Sequence, residues 1–514
     1  MAKKKNISIK ATGRSQAGSR YNYLGARRME KSRTMLQTVL DDIYQVVPIT
    51  DWKYLVSLSR QLVINNGLLK GIIEDKATGV VGDGFEPEFL GADENWGEAA
   101  KNWLINDWMP GCEVRGILDF KDIQYQKSTA MDSSGDVFRL LTRRANGMPA
   151  IQLIGAHRIG QREMGNLIDG GPWGGMRIEN GVISLPDSGE VIAYNVLGDT
   201  EEEDRVIPKG PMAHLLDPVF ADQVRGLPAA VAGLRALVMS EKTDENEEDF
   251  VEMISRLFFV EKNETGEAGP DFGGGDLEGN DGEGSPRLVD LWHGLAKVFT
   301  AGTDSGIEAF NPGDRPSEAF DRFSDRRYRI ICAGIGWPYE LAWKLGELTS
   351  VGVHSVEQKA QRTIRDRQSK LVPSAITEIR WAISGAMAMG ILPRNDDWQK
   401  WAVTLPPKYS LNPTKAADSR RKDLELGLTT VGRVLKEEGT PGGAKALFRE
   451  RAVEIAAKKT IRDEVSKQSG QPISDDEMGR LGIGSTSQPA KEENKPKEKK
   501  ENDPKDDPED DTED

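Results

Sequence analysis

From Trp52 to Val81 the apolar residues Leu55, Leu58, Leu62, Leu68, Ile72 and Val80 recur at helical spacing, which predicts a helical stripe closed by the loop VVGDGFEPEF. A second amphipathic segment carries Trp96, Ala99, Trp103 and Leu104. A third runs from Ile117 towards Met131, where SSGD breaks the pattern before VFRLLTRR. Between about 136 and 217 the texture changes to short β-like runs, VFRLLT, AIQLIG, MRIENGVIS and VIAYNVLG, separated by Gly, Pro, Asn and Asp. Helical spacing returns from Gln223 to Val260, through Leu227, Val231, Leu234 and Val238 and then Phe250, Ile254, Leu257 and Phe258. The polar middle, EKTDENEED, is either an exposed helix face or a joint between two helices.

Residues 263–286 are Gly-rich, acidic and too poor in apolar side chains to pack, so they read as an exposed loop. A helical body is expected from Ser317 to Met389, including the charged helix SVEQKAQRTIRDRQSKL. Further helices are expected at 414–437 and 443–468, the latter preceded by Thr440 and Pro441 as cap and first-turn residues. Beyond about 470 the chain is Ser, Pro, Lys, Glu and Asp, the composition of a disordered tail. Residues 1–35 are polar and basic, and read equally as a disordered leader or as an arm that orders against a partner. The fold class that follows is mixed α+β, predominantly helical.

A chain of 514 residues is long enough to bury a sizeable core. Its net charge of −15 argues against a protein that coats nucleic acid, because such proteins concentrate Lys and Arg to displace counterions from phosphates. Cys112 and Cys332 are far apart and lack metal-site spacing, so they read as buried thiols. The basic N-terminus is followed by no apolar segment of the secretory or membrane-spanning kind. The expected setting is the cytoplasm or a particle assembled there, with no membrane partner.

An enzyme must find its chemistry somewhere. The sequence contains no GK dipeptide, so no phosphate-binding loop of the Walker type can be written. No GxSxG elbow or HExxH helix is present, and His157, His214, His293 and His354 are isolated from one another, which makes each more plausibly structural than a ligand. The acidic run DLEGNDGEG fails the calcium-loop register, because the sixth position from Asp276 is Asp281 where the turn needs Gly. No catalytic residue, metal ligand or cofactor is therefore assigned, and a non-enzymatic role is expected.

Five phrases, in order, resemble the lambda-type phage portal family. SSGDVFRLLTRRANGMPAIQLIGAHRI (133–159) and RIENGVISLPDSGEVIAYNVL (177–197) are similar to the family's strand-rich stretch. HLLDPVFADQVRGLPAAVAGL (214–234) carries the most specific signal, with Gln223, Arg225, Gly226 and Pro228 matching. AFDRFSDRRYRIICAGIGWPYELAW (319–343) matches at Ala333, Gly334, Gly336, Pro338, Tyr339 and Glu340. LNPTKAADSRRKDLELGLTTVGRVLKEEG (411–439) matches at Pro413, Lys415, Gly427, Thr429 and Gly439. Two features depart from the family pattern: the stretch KLGELTSVGVHSVEQ, where Ser350 and Ser355 correspond only loosely, and the insert at 263–286.

The resemblance implies a ring of about twelve subunits closed by head-to-tail contacts, each with a wing, stem, β-containing clip and helical crown. On this plan 1–35 is a basic arm, 36–116 the first part of the wing, 117–149 a stem or wing helix and strand, and 150–217 the clip. A stem helix at 218–262 is followed by the acidic insert and return at 263–299, a tunnel loop at 300–316, wing helices at 317–412, a crown at 413–470 and a tail at 471–514. Asp304, Glu308, Asn311, Asp314 and Arg315 would line the channel, with an ordinary surface loop as the other reading. The charged helix from Ser355 to Arg367 reads as a solvated face, with subunit contact as the second reading. Implied partners are other copies of the chain, the large terminase, capsid or scaffold protein, a head-tail adaptor, and double-stranded DNA passing without sequence readout, all at the virion's portal vertex. The competing readings are a phage structural or scaffold-like protein without a channel, and a metal-dependent nuclease.

Overall fold

The computed structural model describes residues 8–10, 49–163, 165–221, 223–255, 258–263, 287–291, 296–302, 306–309, 318–411, 413–437 and 443–469. The chain forms two compact units, Met1–Pro441 and Gly442–Asp514. The first unit begins with β1 (Ser8–Lys10), α1 (Ile49–Asn65) and α2 (Gly67–Val81). The single stripe expected over 52–81 is thus two helices. Asn66 divides them, its side chain accepting from the Leu69 amide at 2.9 Å and restarting the helix as an N-cap. Next come β2 (Glu86–Phe89) and α3 (Glu94–Trp103), the latter running into a π turn at Leu104–Trp108. Asp119 and Asp122 cap each other's amides at 2.6 and 3.3 Å and start α4 (Phe120–Ser133), which ends at the SSGD breaker.

The strand-rich region holds β3 (Asp136–Arg143), β4 (Pro149–Gly155), β5 (Leu167–Asp169), β6 (Arg177–Glu179), β7 (Val182–Ser184), β8 (Val191–Val196), β9 (Arg205–Pro208) and β10 (Met212–Leu216). MRIENGVIS folds as the hairpin β6–β7, turning through Asn180 and Gly181, both at positive φ, which is what a two-residue turn between twisted strands demands. Strands β10, β3 and β4 form one antiparallel sheet, and β1, β5, β6, β7, β8 and β9 form a second, in that order.

The helix expected from Gln223 to Val260 is shorter. A 3-10 turn occupies Ala229–Ala232 after Pro228, and α5 spans Leu234–Ser255. Phe258–Asn263 is a strand, β11, because the run FFVEKN is aromatic and β-branched where it was read as helix. With β12 (Arg287–Leu291), β13 (Ala296–Gly302) and β14 (Gly306–Ala309) it builds a mixed sheet in which β11 runs parallel to β13. The residues between Asn263 and Arg287, including the calcium-loop test, lie outside those described.

α6 (Glu318–Ile335), the short α7 (Tyr339–Ala342) and the 39-residue α8 (Ser350–Ala388) supply the helical body. β15 (Trp401–Thr404) pairs antiparallel with β2. The helix expected over 414–437 is two, α9 (Pro413–Glu425) and α10 (Val431–Glu437), because Gly427 at φ +68° terminates the first, with the Leu428 amide reaching back to Asp423 at 2.9 Å. In the second unit α11 spans Gly443–Ser469, while Thr440 and Pro441 lie outside the described residues.

The main core gathers Leu55, Leu69, Ile72, Ile73 and Val80 from α1 and α2, Ile123 and Met131 from α4, and Trp337. From α8 it takes Ala360, Ile364, Leu371, Ala375, Ile379 and Ile383. Ala360, Ile364 and Arg367 are buried while Lys359, Arg362, Arg365 and Asp366 are exposed, so the Ser355–Arg367 stretch is solvated on one face and carries a buried seam of three- and four-residue spacing on the other. Phe138, Ile154, Ile159, Val182, Tyr194, Val196 and Met212 form a second core between the two strand-rich sheets. Ile168, Ile178, Ile183 and Ala193 form a third. Cys112 and Cys332 are free and buried, and burial pushes the Cys332 thiol up to about 11, which leaves it un-ionised near neutrality.

Candidate functional site

The QVRGLP phrase folds around one buried guanidinium. Arg225, 1% exposed, uses all five of its N–H donors. Nε and Nη2 grip the two oxygens of Asp136 at 2.6 and 3.2 Å. Nη1 reaches the carbonyls of Ile159 (2.9 Å) and Asn180 (2.6 Å), and Nη2 also reaches that of Ala156 (2.8 Å). One side chain therefore ties the start of β3 to the end of β4 and to the β6–β7 turn. Its flat face stacks 4.2 Å from the Trp52 ring centre, so α1 is joined to the same point. Gln223 secures the phrase locally, donating to the Arg225 carbonyl at 2.7 Å and accepting from the Val219 amide at 2.8 Å.

Gly226 is required by a close backbone approach. A Cβ placed there would lie 2.0 Å from the Gly135 carbonyl oxygen, and one on Gly135 would lie 2.5 Å from the Gly226 carbonyl carbon. That contact lets the Gly226 amide donate to Asp136 at 3.1 Å and the Trp52 indole donate to the Gly226 carbonyl at 2.8 Å. Pro228 then leads into the 3-10 turn at Ala229–Ala232. Sequence reading missed two members of this constellation, Asp136 and His214. The ring of His214 stacks on Phe138 at 4.1 Å, and its Nε2 sits 3.0 Å from Asp136 Oδ2. The signal for Asp136 was the Gly-Asp pair opening a strand otherwise made of core formers.

Burial alone would raise the Asp136 carboxyl, but Arg225 and His214 outweigh it and hold it at about 2. Burial pushes His214 below its usual range, keeping the imidazole neutral. Both shifts have one consequence for folding. The unfolded chain binds protons on His214 below about 6.5 and on Asp136 below about 3.9, before the folded chain does. Stability from this site is therefore complete above about pH 6.5 and declines on acidification. Thermal midpoints of the full chain are expected to fall from pH 7 to 5, and less steeply in a His214→Phe variant; identical profiles would remove His214 from the account.

The AGIGWPYE phrase forms the end of α6 and the turn into α7. Gly336 sits at φ +78°, its carbonyl accepting from Thr363 at 2.8 Å, and Tyr339 donates its hydroxyl proton to Asp325 at 2.6 Å. Gly334 lets α6 approach the 3-10 turn, its ideal Cβ position lying 3.1 Å from the Gly233 nitrogen. The AGIGWPYE phrase is thereby packed against the end of the 214–234 phrase, at Ala232 and Gly233. Glu340 is half-buried on α7 and Pro338 precedes that helix as its N-cap residue.

Two further buried ionic clusters were not legible in advance. Asp132 accepts from Lys76 at 2.8 Å and from Arg367 at 2.6 Å. Arg367 also pairs with Asp217 at 2.8 Å, and Asp217 in turn with Lys370 at 2.7 Å, linking α2, α4, α8 and the segment after β10. Glu378 on α8 binds Lys127, accepts from Gln124 at 2.9 Å and Ser374 at 2.8 Å, and has the Arg139 Nε at 3.1 Å. Burial opposes the Glu378 charge, yet Lys127 and Arg139 hold its carboxyl below the usual range. The available signal was a charge on each apolar stripe, Lys127 between Ile123 and Met131, and Glu378 between Ala375 and Ala382.

The segment 300–316 is not wholly a loop. Its first residues end β13, and Glu308 lies in β14, paired with Val260. Asp304, Asn311, Asp314 and Arg315 lie outside the described residues. Among the described residues, no group of three or more His, Cys, Asp and Glu side chains is placed to hold a metal ion, and no helix is long and apolar enough to cross a membrane.

Two of the three ionic clusters fasten helices to β3, and the third joins α2, α4, α8 and the segment after β10. Residues 26–346 match the model of the phage portal protein, lambda family, and the chain belongs to that family. Among solved structures it is similar to chains of the virion of a native gene transfer agent particle (TM-score 0.43), of the neck of that native particle computed with C12 symmetry (0.44), and of the neck of the empty particle computed with C6 symmetry (0.44). Each is 13% identical over 75% of this chain and 93% of the other. No curated protein matches the chain.

Proposed function

We propose that the chain is the repeating subunit of a closed ring of about twelve copies, set at a capsid vertex, through which double-stranded DNA enters and leaves. Membership of the lambda portal family over residues 26–346 carries this reading. Two properties of the molecule support it. The stretch after Asn412 exposes apolar side chains, Leu426, Leu428 and Val431 at the turn between α9 and α10 in the first unit and Phe448, Val453, Ile455 and Ile461 on α11 in the second, and burial between copies would remove that surface from water. The net charge of −15 suits a conduit, since every Lys set against a phosphate adds binding that must be undone at each step of movement.

On this reading the sheets at 150–217 form the clip, α4 and α5 the stem, the helices of 36–116 and 317–412 the wing, and 413–470 the crown. A separate terminase supplies energy and docks at the clip, while capsid or scaffold protein and a head-tail adaptor contact the remaining surfaces. Cryo-electron microscopy of the full-length protein, with mass photometry, is expected to show closed rings with an axial hole wide enough for duplex DNA. Assemblies without a hole would favour a channel-free structural protein instead. Deleting residues 471–514 is expected to leave the rings intact, because that stretch has few apolar anchors; loss of rings on truncation would show that the tail takes part in assembly.

A further inference from the structure

Between the β8–β9 region, the sheet of β3 and β10, and α8 lies a cleft of about 650 Å³ lined by Arg139, Glu190, Tyr194, Lys209, His214 and Thr377. Two of these side chains are buried yet incompletely used. Arg139 is 3% exposed, and its Nε meets Glu378 at 3.1 Å without aiming its hydrogen there. Its two terminal amino groups donate to no described residue, and since only Nε is fully enclosed, those groups open onto the cleft. Tyr194 is also 3% exposed, with its ring packed edge-on against Phe138 and His214, and its hydroxyl has no hydrogen-bond partner among the described residues.

Because the Arg139 amino groups open onto the cleft, they are free to donate to a group that enters it and displaces solvent. The charge around it points the same way. Glu378 faces both Lys127 and Arg139, so the cleft floor carries one excess positive charge. The exposed Lys209 adds a second at the rim, and Glu190 supplies the opposing carboxylate.

We propose that this cleft is an oxyanion site that takes a phosphate group, gripped by the Arg139 amino groups and the Tyr194 hydroxyl, with Lys209 closing over it. Phosphate suits these donors better than a lone carboxylate: it offers three or four acceptor oxygens to a lining that holds an arginine, a tyrosine and a lysine, and a guanidinium fork binds two of them at once. The phosphate belongs either to a small free phosphate compound or to a nucleic-acid backbone, and the chemistry of recognition is the same for both.

The test measures thermal unfolding of the full-length protein in inorganic phosphate against chloride at matched ionic strength, in the wild type and in Lys209→Ala and Tyr194→Phe. Both substitutions leave the buried ion pairs untouched. A saturable rise in the midpoint with phosphate is expected, with the apparent affinity weakened roughly ten-fold by Lys209→Ala and by a smaller factor in Tyr194→Phe. Arg139→Lys, if it folds, should abolish the effect. Loss of the phosphate response when a short DNA duplex is added assigns the group to a DNA backbone; an undiminished response assigns it to a free phosphate compound. The proposal is overturned if phosphate and chloride act alike, or if the phosphate effect is the same in the wild type and both surface-side variants.

Discussion

Replacing Arg225 with Ala is expected to abolish recovery of folded, full-length protein, or to lower its stability by about 3–5 kcal/mol where it is recovered. The substitution leaves Asp136 fully buried and ionised, or forces it to take up a proton, and strips hydrogen bonds from the carbonyls of Ala156, Ile159 and Asn180. His214, 3.0 Å from Asp136, offsets only part of the loss: its protonation becomes easier once Arg225 no longer opposes it, but burial still disfavours the charged imidazole. Against a total stability of about 5–15 kcal/mol for an ordinary domain, such a loss is decisive. Lysine keeps the charge but has no planar fork, so Arg225→Lys should be intermediate, retaining a contact to Asp136 and losing most of the carbonyl bonds. Gly226→Ala should be comparably damaging for a steric reason, since its methyl would lie 2.0 Å from the Gly135 oxygen and one backbone would have to move. Soluble yield, thermal midpoint and ring formation measure these effects. An Arg225→Ala protein that assembles normally with an unchanged midpoint would show that the guanidinium does not hold the sheets together.

The same residues show what could be read without coordinates. Gln223, Arg225, Gly226 and Pro228 stood out as a phrase, but nothing in their spacing revealed that the partner of Arg225 is 89 positions away or that Gly226 is fixed by contact with Gly135. Periodicity locates α4 because it buries one continuous apolar stripe, while α6 and α8 fall within the helical body expected over 317–389. It failed where local chemistry interrupts a stripe: at Asn66, whose side chain caps a new helix, at Gly427, whose positive φ ends one, and at Phe258–Asn263, where strand pairing overrides a spacing that also fits a helix. On the Ser355–Arg367 stretch the charges mark the solvated face of α8 and leave its buried seam unseen. Arg367, read as a surface cation, is 3% exposed and bound to Asp132. Charge content predicts solvation only on average, and long-range ion pairs are the exceptions that a one-dimensional reading does not show.

Glu378→Gln is expected to be more destabilising than Lys127→Met, although the two residues are partners in one ion pair. The buried cluster holds two cations, Lys127 and Arg139, and one anion, Glu378. Removing Lys127 with an apolar side chain of similar length leaves a balanced Arg139–Glu378 pair, with Gln124 and Ser374 still donating to the carboxylate. The cost is then about 1–3 kcal/mol, chiefly for the buried Gln124 Oε1 that loses the Lys127 donor at 3.2 Å. Neutralising Glu378 instead leaves two cations facing each other without a counter-charge, and a cost of about 3–5 kcal/mol follows. Burial already pushes the Lys127 ammonium down, and the loss of Glu378, which opposes that shift, pushes it further down. The Glu378→Gln protein should accordingly gain stability as pH rises from 7 towards 10, because the neutral amine is the form its surroundings tolerate. The double variant Lys127→Met with Glu378→Gln should be more stable than Glu378→Gln alone, since only Arg139 remains to be accommodated and it borders the open cleft. Thermal unfolding of the four proteins across pH measures all of this at once. Equal losses for Glu378→Gln and Lys127→Met would mean that the cluster acts as a simple pair, with Arg139 energetically outside it.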